Sequence, residues 1–135
     1  MVDTWVVVAD GSRCRIFASD ASLAELQPVK EIQNKHHVGD HRGHPNRGHD
    51  SAHHGIESKF AADIGAELTQ AVQSHAVRDL LLVAPSRFLG DLLAALPKAT
   101  AGHVTGRLAK DYTAFEVHDL ARRLRDALAD NHDLH

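Results

Sequence analysis

Twelve histidines in a chain of 135 residues are the feature with the most chemical potential. Seven of them, at positions 36, 37, 41, 44, 49, 53 and 54, fall between residues 34 and 58. Neutral imidazole suits zinc, nickel or copper, and the pairs His37/His41 and His49/His53 repeat at four-residue spacing. His37, His41, His44, His49 and His53 are therefore the candidate metal ligands, with zinc or nickel the implied ion. That spacing brings two rings together on a helix, which Gly39, Gly43, Pro45 and Gly48 disfavour. A segment with so few apolar side chains buries too little surface to offset its ordering entropy. A mobile His/Gly-rich loop at about 34–58 is the expectation, and it would have to wrap a metal at an entropic cost. Protonation below about pH 6 would also turn it cationic.

Asp10, at the end of the first apolar run, stands where a two-metal nuclease needs one carboxylate. A second is required at the end of the later apolar strand, where the sequence has Ala84-Pro85-Ser86 and no acid. Glu57 and Glu67 are the remaining contributors, and the set stays incomplete, so Asp10 reads as a turn residue. No Gly-x-Ser-x-Gly elbow supports a hydrolase triad. The single cysteine, Cys14, excludes a disulfide framework and a cysteine-based zinc cage within the chain. It is expected inside, beside Ile16, as a small core residue. Fifteen Lys+Arg against eighteen Asp+Glu give a net charge of −3, and aromatics make up 4%. Neither figure suits a strongly basic nucleic-acid binder or a base-stacking platform.

These groups need a scaffold, and 43% apolar residues supply a core for one domain spanning 1–135. Trp5-Val6-Val7-Val8-Ala9 has the pattern of a strand covered on both faces. Asp10-Gly11-Ser12 is a turn signal, and in Arg13–Ala18 the residues Cys14, Ile16 and Ala18 share one face. A third strand falls around Glu25–Gln33, with Pro28 confining it to an edge or a bulge. Phe60, Ile64, Leu68 and Val72 mark a helix capped near Ser58. Asp79–Ala84 is a second buried strand, and Ser86 is a suitable N-cap for the helix carrying Phe88, Leu89, Leu92, Leu93 and Leu96. Val104–Ala109 is a short strand with Val104 and Leu108 on one face, and a last helix runs from about Phe115 to Ala129.

The order β-β-β-α-β-α-β-α with right-handed crossovers predicts an α/β fold of three layers, α/β/α. Its five-stranded mixed sheet has order 3-2-1-4-5, the ribonuclease-H-like architecture. Ligands of open α/β sheets sit outside the carboxyl ends of the central strands. Asp10, Gly11, Ser12, Ser86 and Arg87 should border that crevice, with the amides of Ser86–Phe88 able to receive an anion. Hairpin turn and helix cap are the plainer roles for the same residues. His118, Arg122 and Arg125 line one helical face, which is solvated unless RNA or a ribosome covers it. The short apolar runs include no export signal or membrane span, so a cytoplasmic protein is expected.

Three segments resemble a known bacterial family. They are Trp5-Val6-Val7-Val8-Ala9-Asp10-Gly11-Ser12-Arg13-Cys14-Arg15-Ile16-Phe17, then Leu82-Val83-Ala84-Pro85-Ser86-Arg87-Phe88-Leu89-Gly90-Asp91-Leu92, and Lys110-Asp111-Tyr112-Thr113. In this order they look like the host attachment protein family, named for proteins required for bacterial attachment to host cells. Cys14 and Tyr112 depart from the alanine and leucine common there. The family is similar in fold to the middle domain of archaeo-eukaryotic peptide-chain release factors, where a Gly-Gly-Gln loop precedes a long helix. The equivalent stretch here, Gly43-His44-Pro45-Asn46-Arg47-Gly48-His49-Asp50, has no Gly-Gly-Gln, so peptidyl-tRNA hydrolysis does not carry over. The resemblance implies a binding or adaptor protein without catalytic residues, linked to attachment or to the translation machinery. Its partner would be a protein, an RNA or the ribosome, and a homo-oligomer is compatible with it. The alternatives are a ribosome-associated release-factor-like protein and a metal-binding protein acting through its histidines.

Overall fold

In the computed structural model, which describes residues 3–20, 22–35 and 49–132, the first strand has no accessible core side chain. Val6, Val7, Val8 and Ala9 of β1 (Thr4–Ala9) are each completely buried. Side chains alternate across a strand, so a strand buried on both sides needs a layer on each. Val7 and Ala9 join Cys14, Ile16, Leu80 and Leu82 under Phe60, Ile64, Leu68 and Leu92. Val6 and Val8 join Phe17, Leu81 and Val83 under Leu120 and Leu124. The first set comes from α1 (His49–Gln73) and α2 (Ser86–Ala95), the second from α4 (Val117–His132). Three layers result, as the buried β1 pattern requires.

The sheet consists of β1, β2 (Arg13–Ser19), β3 (Gln27–Gln33), β4 (Asp79–Ala84) and β5 (Val104–Ala109) in the order β3-β2-β1-β4-β5. β1 is antiparallel to β2 and parallel to β4, β2 is antiparallel to β3, and β4 is parallel to β5. The ribonuclease-H-like order expected from the sequence is the observed one. β1, β3, β4 and β5 consequently run in one direction, and their carboxyl ends share one rim of the sheet. Pro28 sits on the edge strand beside a register shift that leaves Val29 without a partner, and Val29 is 42% exposed. Both outcomes expected of a strand proline occur together.

Several boundaries differ from expectation. The loop expected to last to residue 58 ends earlier, because α1 begins at His49, and Ser58 lies inside the helix. Propagating an existing helix adds one hydrogen bond per residue fixed. No proline interrupts the run from His49 to Gln73, so the strongly amphipathic part extends backwards through the histidines. Residues 36–48, with His37, His41 and His44, lie outside the described residues. Ser86 is not the cap of α2. Pro85 takes that position with extended geometry and no side-chain cap bond, and its carbonyl accepts the amide of Leu89 at 2.8 Å. Proline holds φ near the helical value without needing its own N–H there.

β3 begins at Gln27 because Leu26 turns inward and is buried. α4 starts at Val117, since the ring of Phe115 packs edge-on to Tyr112. A four-residue helix, α3 (Lys98–Ala101), follows Pro97. Val104 and Leu108 do not share a face. Val104 packs with the α1/α2 core and Leu108 with the α4 core, because the β4–β5 register shifts after Leu80 and inserts Thr105. Gly65 of α1 lies so close to α2 that a Cβ there would stand 3.1 Å from the Ala95 carbonyl oxygen. No helix among the described residues is long and apolar enough to cross a membrane.

Candidate functional site

The shared rim collects the turn after β1, Asn34 after β3, Pro85–Arg87 after β4 and the loop after β5. Asp10 organises the first of these. Its Oδ1 accepts the amides of Ser12 at 2.8 Å and Arg13 at 2.9 Å, and its own amide donates to the Arg13 carbonyl at 2.9 Å. An aspartate folding back on the following amides is the usual way this side chain builds a turn. Asn34 closes the turn from the other side. Its Nδ2 donates to the Gly11 carbonyl at 2.8 Å and its amide to the Ser12 carbonyl at 2.9 Å. Glu57 of α1 lies over Gly11, where a Cβ would meet its Oε2 at 2.5 Å. Only glycine admits that approach without moving the glutamate.

The second oxygen of Asp10 faces the loop after β5. Thr113 Oγ1 stands 3.0 Å from Asp10 Oδ2 and 3.1 Å from Asp111 Oδ1. A hydroxyl carries one proton, so it donates to one carboxylate at a time. The Thr113 carbonyl accepts from Arg13 Nη2 and, at 2.9 Å, from Arg15 Nη1, which also reaches the Phe115 carbonyl at 2.7 Å. Burial first and the neighbouring Arg13 second lower the pKa of Arg15. Two arginines of one strand thus clamp a loop about one hundred residues away. Arg123 lies over the Phe115 ring at 4.0 Å and continues the clamp into α4.

Asp10, Gly11 and Ser12 therefore occur together, as expected, in one hairpin turn. Ser86 and Arg87 open α2 on the next strand and are exposed, and no hydrogen bond among the described residues joins them to that turn. Residue-type reasoning missed Thr113, Asp111, Arg13, Arg15 and Asn34. The signal for four of them lay in the two flanking motifs, which contain them but show no contact between one motif and the other. Glu67, the other acid considered beside Asp10, binds Lys30 at 2.6 Å. Among the described residues no group of three or more His, Cys, Asp or Glu side chains is placed to hold a metal ion. His49 and His53 belong to the first turns of α1.

Cys14 is completely buried against the α1/α2 layer, as expected. Burial pushes its thiol far up, with further contributions from the carboxylates of Asp10, Glu31 and Glu67. A thiol held protonated is no nucleophile.

On α4, His118, Arg122 and Arg125 are exposed. Asp119 accepts hydrogen bonds from Arg122 and from Arg123, at 3.4 Å for the latter, and the first of these lowers its pKa most.

Residues 5–124 match the model of the family described as "Protein required for attachment to host cells". The chain belongs to this family. The matched range includes β1, β2 and the loop after β5, so both halves of the arginine clamp lie inside it. No curated protein matches the sequence. Among solved structures, an archaeal translation termination factor, aRF1, aligns with a TM-score of 0.54 and 10% identity over 94% of this chain and 39% of its own. A second archaeal protein aligns with a TM-score of 0.51 and 13% identity over 97% of this chain and 38% of its own. Yeast Dom34, titled a translation termination-like factor involved in RNA quality control pathways and interacting with Hbs1, aligns at 0.45 and 9% identity, over 90% of this chain and 35% of its own. That last match is too loose to bear on the fold. The first two show that this chain shares its α/β fold with part of each of those proteins, and it spans under two fifths of either protein's length.

Proposed function

We propose that this host-attachment protein acts by binding, as a non-catalytic adaptor in the cytoplasm. One observation carries the reading. The polar groups gathered at the sheet rim are already engaged with one another: Asp10 with two amides and Thr113, Arg13 and Arg15 with backbone carbonyls. Groups saturated in this way build a rigid rim, whereas a reaction centre needs donors and acceptors directed at where a substrate will lie. Family membership links the adaptor to attachment. The test is an incubation of the purified protein with RNA, DNA and activated esters, in the presence of magnesium, manganese or zinc. No turnover above buffer is expected. Metal-dependent turnover abolished by Asp10→Asn would overturn the adaptor reading.

A second reading, association with the ribosome or RNA, is supported by the fold shared with an archaeal termination factor and by the arginines of α4. Its test is co-sedimentation of the wild-type chain with purified bacterial ribosomes at rising salt. Contacts to phosphate would weaken binding steeply between about 50 and about 200 mM salt. No sedimentation at low salt would remove this reading and leave a protein partner.

A further inference from the structure

Of the motif Lys110-Asp111-Tyr112-Thr113, the contact with Asp10 uses Thr113 and Asp111. Lys110 and Tyr112 instead line a groove of about 250 Å³ between the loop after β5 and α4. That volume falls just below the range of sites for drug-sized ligands and suits a smaller molecule. Arg122, Arg123 and Asp126 stand on the helix side, and Leu108 and Ala127 supply apolar surface. Most of the groove is fixed in advance. Arg13 and Arg15 hold the Thr113 carbonyl, and Arg15 also holds that of Phe115, so the loop cannot swing away without breaking these bonds. The Tyr112 ring lies edge-on to Phe115 with centroids 5.5 Å apart. A pre-formed site loses less binding energy to ordering.

The charges of the lining divide into those already used and those left over. Asp119 accepts from Arg122 through one oxygen and from Arg123 through the other, and Arg123 also covers the Phe115 ring. Lys110 Nζ, the Tyr112 hydroxyl and the Asp126 carboxylate have no hydrogen-bond or ion-pair partner among the described residues. Lys110 and Asp126 therefore carry opposite charges into one groove without pairing with each other. One free cation and one free anion match a ligand that carries both charges. They suit a polyanion poorly, because Asp119 already engages both arginines and Asp126 would repel a phosphate.

We propose that the groove between the loop after β5 and α4 binds a small zwitterion, an α-amino acid with an apolar side chain. Its carboxylate pairs with Lys110, its ammonium with Asp126, and its side chain rests on Tyr112, Leu108 and Ala127. Charge-assisted hydrogen bonds at the two ends orient the molecule, and the apolar surface between them adds burial. The inference goes beyond the adaptor reading and stands without it.

The test is a two-dimensional amide NMR titration of the full chain with free leucine and with its two single-charge counterparts. These are isocaproate, which lacks the ammonium, and isoamylamine, which lacks the carboxylate; inorganic phosphate is the fourth probe. Saturable shifts at the amides of Lys110, Tyr112 and Asp126 are expected with leucine. Each single-charge counterpart should bind about tenfold more weakly. Lys110→Met and Asp126→Asn should each weaken leucine binding about tenfold, whereas Lys98→Met, on α3, should leave it unchanged. Circular dichroism and thermal midpoints confirm that each variant is folded. Leucine shifts that do not saturate by about 10 mM would overturn the proposal. Equal binding of leucine and either counterpart, or folded Lys110→Met and Asp126→Asn variants that bind like wild type, would do the same. Phosphate binding in place of leucine would also overturn it and make the groove an anion site. Catalytic turnover in the incubation described above fails the adaptor reading separately.

Discussion

Thr113 Oγ1 lies 3.0 Å from Asp10 Oδ2, and this contact ties the loop after β5 to the turn after β1 across 103 residues of sequence. Thr113 is 4% exposed, so the bond forms largely out of water, where losing a partner is costly. Asp10→Ala removes the anchor of the hairpin turn and the threonine's acceptor together, and should lower the unfolding free energy by about 2 kcal/mol. Thr113→Val keeps the shape and should cost about 1 kcal/mol. In a double-mutant cycle by urea denaturation, a coupling of about 1 kcal/mol is expected. Strict additivity would show that the two residues do not act on each other.

Cys14 gives the protein an alkaline limit. Its thiol, pushed up chiefly by burial, stays protonated in the folded chain, whereas in the unfolded chain it ionises above about pH 8.5. Unfolding then releases a proton, so the thiol's contribution is complete below that value and declines as pH rises. The expected slope is about 1.4 kcal/mol per pH unit. Urea melts of wild type and Cys14→Ala, taken from about pH 8 to about pH 10, should show this extra loss in wild type alone. Parallel curves would refute it.

His75 follows α1 with φ 63°. The amide of Ala76 donates to the Ala71 carbonyl and that of His75 to the Val72 carbonyl, a helix ending that favours glycine at the left-handed position. His75→Gly should therefore stabilise the fold by about 0.5–1 kcal/mol, the relieved strain exceeding the added freedom of the unfolded chain. A lower thermal midpoint for the glycine variant would contradict this account.

Gly65 sets the distance between α1 and α2. A valine there would drive its Cβ against the Ala95 carbonyl and add two further carbons in a packed layer, at a cost of about 1–3 kcal/mol. Chemical denaturation of Gly65→Val measures it, and wild-type stability would mean that the helices separate freely.

The sheet order was legible because apolar content and spacing report burial directly. Trp5–Ala9 and Asp79–Ala84 read as buried central strands, and Pro28 allowed only an edge or a bulge. The clamp was less legible for a physical reason: a hydrogen bond between Asp10 and Thr113 leaves no periodic trace, and both residue types are ordinary in turns. The motifs around them contained the partners without showing that they meet. Local composition misled at α1, where histidine density suggested a loop and helix propagation prevailed as far back as His49. It misled again at Val104 and Leu108, since one inserted residue reverses the faces of a strand and no residue type announces it.

The irregular border at Pro28 and Val29 has a consequence for how copies of this molecule can add to one another. Proline offers no amide to an incoming chain, and the kink spoils a continuous ladder on that side. The margin formed by β5 is interrupted as well, by the inserted Thr105. With neither border offering an unbroken ladder, the sheet opposes strand-by-strand addition of further copies into an endless fibre.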